Sequence, residues 1–268
     1  IPVIRPLMQC LAGNRISEVC GILNGTTNYI LTQMLQCARS FGDVLLEAQK
    51  LGYAEADPSA DVDGIDAKRK ICILADLCFG KNVDPSLVKA EGIRGVTPED
   101  AAFAGTFGCT VKLLGRAVLT KDGRELVYVA PHLVPDTQLL SNVNGVMNGI
   151  MVRGNAVGEC MFYGPGAGKL PTGSAVVADI MDAVRHEDEK KYIDWGPGEP
   201  GMLVDPDTVE SRWYVRAPLS AAMSLKRGGC DVSASSLECA AITPKMLRRD
   251  AVGLTEGCGC SAIFRVLD

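Results

Sequence analysis

The apolar pattern of this chain changes period near residue 110, and that change limits the folds open to it. Upstream, residues 41–51 place Val44, Leu45, Ala48 and Leu51 at helical spacing and meet Gly52 as a stop. Residues 63–79 repeat the pattern with Ile65, Ile71, Leu74, Ala75 and Leu77, and Gly80 follows. Thr97 before Pro98 marks a further short helix, by a capping residue and a proline in its first turn. Downstream, alternation runs through residues 110–119, breaks at Lys121-Asp122-Gly123 and resumes over 126–134, which predicts a β-hairpin. Residues 146–152 and 156–163 add strands. Helices followed by a run of strands predict an α+β fold, a mixed β-sheet with helices on one face.

At the front, apolar residues 16–23 reach the polar turn Asn24-Gly25-Thr26-Thr27-Asn28 and continue as a helix, with Thr26 or Thr27 as the expected N-cap. Gly164-Pro165-Gly166-Ala167-Gly168 leads into another helix over 171–184, and residues 187–210 are charged and rich in Gly and Pro, as a linker is. The remainder reads as strand 212–216, helix 219–226, strands 232–238 and 239–242, helix 243–252 and strand 262–267. That is the βαββαβ order of a small ferredoxin-like domain.

The length of 268 residues allows one or two domains, and 47% hydrophobic residues with only 5% aromatic ones imply an aliphatic core. The formal net charge of −5 is scattered along the chain, so a nucleic-acid backbone is disfavoured as a partner. No uncharged apolar stretch of about 18 residues occurs, so no membrane partner is expected, and a soluble cytoplasmic protein is. Eleven cysteines without a CxxC pair fit neither a disulfide framework nor a zinc ribbon; Cys258 and Cys260 have no partners to complete a metal site, and reduced thiols are expected. His132 and His186 are far apart and read as structural. The chain begins with Ile1 instead of Met.

The densest chemistry lies in residues 55–70, where Glu55, Asp57, Asp61, Asp63 and Asp66 precede Lys68, Arg69 and Lys70. Carboxylates so close repel one another unless a cation, a basic side chain or solvent offsets them. A calcium loop of the EF-hand kind fails: anchored on Gly64, its first position is Ser59 and its twelfth is Lys70, a cation where a bidentate carboxylate belongs. Asp66 and Lys70 are four apart on a helix and share a face. Two readings stay open for them, a solvated surface ion pair or a lysine at the mouth of a pocket, able to exchange a proton with a substrate. On the second reading Glu55 is free to hold an ammonium group. The glycine run fits neither a P-loop, since Tyr163 and Leu170 stand where Gly and Ser or Thr are needed, nor GxGxxG, since Lys169 replaces the third glycine. It is either a bare tight turn or a helix start whose amides face an anion.

Ala48-x₃-Gly52-Tyr53-Ala54-x₂-Asp57-Pro58-x₂-Asp61-Val62-x-Gly64-x-Asp66-x₃-Lys70 resembles the signature of the homoserine dehydrogenase family at every specified position. The resemblance extends through Ile1-Pro2-Val3-Ile4-Arg5-Pro6-Leu7, residues 21–31, Lys112-Leu113-Leu114-Gly115 and Tyr163–Gly168, over about residues 1–186. It implies NADH- or NADPH-dependent reduction of aspartate 4-semialdehyde to homoserine, on the route to threonine, methionine and isoleucine. In that family's terms Lys70 is the proton donor, with Asp66 beside it. Glu55, Asp66 and Asp61 serve the small-molecule substrate, and Tyr53, Gly25 and Thr26 complete its pocket. Gly166 and Gly168 meet the dinucleotide, and the Ile1 carbonyl is a remnant of a monovalent cation (Na⁺ or K⁺) site. A homodimer or homotetramer is implied as well.

The same resemblance marks what is missing. Family members begin with a Rossmann domain and carry a second active-site lysine after it, so this chain is expected to be a fragment with poor cofactor binding and little turnover. The implied domains are a catalytic unit over 1–190, a linker over 191–210 and an ACT-like regulatory unit over 211–268. Ala217-Pro218-Leu219-Ser220 replaces the usual effector-binding turn of ACT domains, so threonine regulation and a purely dimerising role both stay open. The competing reading of the whole chain is a non-catalytic amino-acid-sensing or dimerisation module, and a calcium-binding protein comes third.

Overall fold

In the computed structural model, which describes residues 1–188, 195–255 and 257–268, the front of the chain is β1 (Ile16–Ile22) running into α1 (Gly25–Cys37). The N-cap of α1 is Asn24, not Thr26 or Thr27: Asn24 has extended backbone (φ −131°, ψ 119°) and its side chain accepts from Thr27 N at 2.9 Å. A cap must precede the helical dihedrals, and both threonines already have them. Next come α2 (Phe41–Lys50), the single turn α3 (Ser59–Val62) and α4 (Ile65–Phe79). Glycines in left-handed conformation bracket α4, Gly64 at φ 77° and Gly80 at φ 80°. After β2 (Lys89–Ala90), α5 (Pro98–Thr106) starts with a capping box between Thr97 and Asp100.

The strands that follow are β3 (Cys109–Leu119), β4 (Glu125–Pro135), β5 (Met147–Gly154) and β6 (Gly158–Pro165), and then comes α6 (Lys169–Arg185). The tail holds β7 (Trp213–Pro218), α7 (Ala222–Arg227), β8 (Asp231–Ala234), β9 (Glu238–Ile242), α8 (Arg248–Gly253) and β10 (Ala262–Val266). Two boundaries differ from the sequence reading. Strand 232–238 ends at Ala234 because Ser235 Oγ accepts from Leu237 N and Glu238 N and closes a turn. The last helix starts at Arg248, since Thr243 Oγ1 accepts from Trp213 N and Met246 pairs with Ser211, which keeps residues 243–246 out of a helix.

All the strands join one sheet in the order β6-β5-β1-β3-β4-β10-β7-β9-β8, with β2 beside β4. Pairing is antiparallel except for β2–β4 and β4–β10, so the sheet is mixed. Helices α1, α4 and α5 cover one face, packing Ile30, Ile71, Ala75 and Phe103 on Val19, Val111 and Leu113. Complete burial of a side chain such as Ile71 contributes roughly 1.5–3 kcal/mol. Gly115 lies under α4, where a Cβ would fall 3.0 Å from Ile71 Cβ, so the helix sits close to the strand. The tail's helices lie on the opposite face, Leu225 against Ala217 and Ala251 against Val215. Residues 196–209, expected within a linker, run along the body: Gly196 pairs with Gly80, and Glu125 N–H donates to Met202 O at 2.8 Å. Residues 191–194 of that expectation lie outside the described residues. No helix among the described residues is long and apolar enough to cross a membrane.

Candidate active site

The acidic segment is divided among several partners. Asp63 pairs with Arg94 Nε at 2.5 Å, and Asp57 accepts from Ser59 N, with the Ser59 hydrogen bonds holding its carboxyl below the usual range. The remaining carboxylates meet at the junction of β1, α1 and α4. Asn24 Nδ2 donates to Asp61 Oδ1 at 2.7 Å and to Asp66 Oδ2 at 2.9 Å, and the same Asp66 oxygen accepts from Lys70 Nζ at 2.7 Å. Lys70 Nζ also donates to Leu23 O at 3.1 Å. A basic side chain and an amide thus offset the clustered charge, and among the described residues no group of His, Cys, Asp and Glu is placed to hold a metal ion. Asn24 is a residue that the sequence reading left out of the site. Its signal was its place between a strand end and Gly25, where a capping residue is favoured.

These groups open onto a polar lobe of about 500 Å³. Tyr53, Asp61, Asp66 and Lys70 line it together with Gly25, Thr26, Gly166 and Gly168. Thr26 Oγ1 donates to Tyr53 O at 2.6 Å, and the Tyr53 ring stands edge-on to Tyr29 at 5.1 Å. Tyr29 in turn donates to Glu47, and that hydrogen bond pushes the phenol up to about 12. At Gly25 a Cβ would fall 2.8 Å from Val146 O, and at Gly166 it would fall 1.8 Å from Asn148 Oδ1, so both positions require glycine. An apolar lobe of about 270 Å³ adjoins, lined by Ile1, Ile4, Leu23, Ile73 and Ile150. Lys70, Asn148 and Gly166 line both lobes.

Other expected residues lie apart. Glu55 is exposed and does not line the cleft; only its backbone carbonyl is engaged, by Gln49. Ile1 reaches the apolar lobe by its side chain, while its carbonyl accepts from Val3 N at 3.0 Å. His132 is fully buried between Tyr128 Oη and Ala130 O, and burial pushes its imidazole down to about 3, so it stays neutral within the sheet. His186 bonds to Asp182 past the end of α6. All eleven cysteines are free thiols. A larger cavity of about 730 Å³ lies under residues 198–206, away from Asp66 and Lys70.

A family model described as homoserine dehydrogenase matches residues 2–181. The homoserine dehydrogenase of Pseudomonas aeruginosa is 45% identical over 223 residues, 81% of this chain and 51% of its own length. That of Synechocystis is 52% identical over 188 residues, 69% of this chain and 43% of its own. Among solved structures, a homoserine dehydrogenase from Thiobacillus denitrificans superposes with a TM-score of 0.87 at 32% identity, covering 100% of this chain and 68% of that one. A hyperthermophilic archaeal homoserine dehydrogenase mutant in complex with NADPH gives a TM-score of 0.58 at 33% identity, over 69% of this chain and 52% of that one. The chain spans about half the length of the curated relatives it matches.

Proposed function

The chain belongs to the homoserine dehydrogenase family, and from that premise we propose that its cleft binds aspartate 4-semialdehyde and homoserine and serves their interconversion with NADPH or NADH. The observation that carries this reading is the Lys70 ammonium, held by Leu23 O and Asp66 at the boundary of a polar and an apolar lobe. Two of its protons are committed, and the third is free for a substrate oxygen. As the aldehyde carbon is reduced, negative charge builds on its oxygen; Lys70 stabilises that charge and then gives up the proton, leaving an alcohol. Asp66 keeps the ammonium in position. Asp61 and Asp66, tied together through Asn24, attract the substrate's α-ammonium.

The glycine run fits a dinucleotide. Gly166 has no room for a side chain, Gly168 has φ +120°, and no side chain caps the first turn of α6, so bare backbone amides are on offer to a phosphate. When bound, the nicotinamide supplies hydride for the aldehyde carbon. The Ile1 carbonyl is a single acceptor already used by Val3, which does not make a coordination shell, so no step here runs through Na⁺ or K⁺. The tail shows the sheet order β10-β7-β9-β8 and supports a regulatory, ACT-like role. Among the described residues strand β6 ends the sheet without a further partner, which supports pairing of copies into a homodimer or homotetramer.

Calorimetric titration with homoserine tests the site. One equivalent is expected to bind the wild-type chain, and Asp66→Asn is expected to weaken it by about tenfold or more, because charge at the ammonium site and at Lys70 is lost together. Absence of homoserine binding by the wild type at millimolar concentration contradicts the reading.

A further inference from the structure

Asn148 lies outside the signature, on β5, and is 6% exposed. Its Nδ2 donates to Ile22 O at 2.8 Å, while Lys70 Nζ donates to the next carbonyl, Leu23 O, at 3.1 Å. Two side chains from different elements are therefore anchored on consecutive carbonyls at the end of β1, and both line both lobes. Because its nitrogen is committed to Ile22, the Asn148 carboxamide cannot flip without losing that bond. Oδ1 is thus fixed beside Gly166, in the space that a side chain there would fill. Among the described residues no donor reaches this oxygen. Asn148 lines the cleft, so this acceptor is open to a donor from whatever fills it.

Resting on the function proposed above, we infer that Asn148 is a specificity-determining residue that distinguishes the alcohol from the aldehyde. Homoserine offers a hydroxyl whose oxygen accepts from Lys70 Nζ and whose proton is donated to Asn148 Oδ1. The aldehyde satisfies Lys70 equally well but has no proton to give, and Asn148 Oδ1 then stays unpaired. A site built to receive a hydroxyl proton discriminates against a ligand that lacks one. The reacting oxygen is thereby placed between Lys70 and Asn148, at the neck joining the two lobes.

The test is calorimetric titration of the chain with homoserine and with 2-aminobutyrate, which lacks the hydroxyl. The wild type is expected to prefer homoserine by about tenfold, the worth of a good hydrogen-bonded contact. In Asn148→Leu the preference is expected to shrink to about threefold, Lys70 still donating, while the affinity for 2-aminobutyrate changes by less than about twofold. Asn148→Ser, smaller and too short to bring an acceptor to the same place, is expected to show the same loss. A merely structural role would weaken both ligands alike, and that result, or an unchanged preference in both variants, overturns the inference. Equal binding of the two ligands by the wild type overturns it while leaving the proposed function standing. Failure of the wild type to bind either ligand removes both.

Discussion

Lys112 shows how a single side chain can be committed to shape. It is fully buried, has no carboxylate partner among the described residues, and its ammonium donates to Val143 O at 2.5 Å, Asn144 Oδ1 at 2.9 Å and Asn28 Oδ1 at 3.3 Å. It thereby ties the loop carrying Val146 to the first turns of α1, next to Gly25 and Thr26 of the cleft. Burial pushes its pKa down from 10.5 to about 8. Between those values the unfolded chain holds a proton that the folded chain has released, so stability rises with pH across this window. At about 1.4 kcal/mol per unit, Lys112 contributes a rise of about 3 kcal/mol between pH 8 and 10.5. Urea denaturation of the wild type and Lys112→Met is expected to show the difference between them moving in favour of the wild type over that window. A constant difference contradicts the assignment. Nothing in Lys112-Leu113-Leu114-Gly115 announced this role, because the partners are carbonyl oxygens supplied by distant segments. Asp66 and Lys70 were legible, since their spacing places both on one helical face, but whether solvent or a cleft lay beyond them was not.

Among the elements, those whose ends carry their own chemistry were the easiest to read. Gly52 and Gly80 stop α2 and α4, and Thr97-Pro98 opens α5, because caps and breakers act within a few residues of themselves. Asn24 was missed as a cap because three polar neighbours compete for that place. The bonds of residues 196–209 to the body were also illegible, since the backbone pairs leave no trace in side-chain type and the ion pairs of Lys81 with Glu199 and of Lys89 with Asp205 and Asp207 join distant positions. Gly64 connects element to site: its φ of +77° turns the chain from α3 into α4 and so sets Asp61 against Asp66, and a Cβ there would press on Val129 Cγ1 at 3.2 Å. Gly64→Ala is expected to cost about 1–2 kcal/mol in urea denaturation, the penalty of a left-handed alanine. It is also expected to weaken homoserine binding, because the two carboxylates separate. A variant with unchanged stability and affinity would show that the turn does not set the site.

At the level of the whole molecule, β7 lies between two layers. Trp213, Val215 and Ala217 face the tail's own helices, while Tyr214 and Arg216 face α5 of the body. A four-stranded βαββαβ unit covers only one face of its sheet, and here the other face is closed by the body. Asp100, fully buried, accepts from Tyr214 Oη at 2.9 Å and Arg216 Nε at 2.7 Å, and Arg216 reaches on to Glu238. Arg265 lies over the rings of Tyr128 and Trp213 at 5.0 and 4.3 Å, and β10 pairs with β4. The order of the tail's elements was legible from alternation and turns; its junction with the body was not, because Asp100 and Arg216 are separated by 116 positions. Asp100→Asn is expected to cost about 1–3 kcal/mol, since it takes one of two carboxylate partners from a buried guanidinium and leaves Glu238 as the other. Tryptophan fluorescence and far-UV circular dichroism are expected to give coincident urea transitions in the wild type, as one sheet unfolding together requires. Separate transitions would mean that tail and body are stable independently.

The proposed chemistry requires the substrate to sit in the cleft around Lys70. A crystal structure of the chain with homoserine is the most direct test. We expect the ligand in the polar lobe, its ammonium near Asp61 and Asp66 and its hydroxyl within hydrogen-bond distance of Lys70 Nζ. Homoserine bound elsewhere, with the lobe beside Lys70 left to solvent, would contradict it.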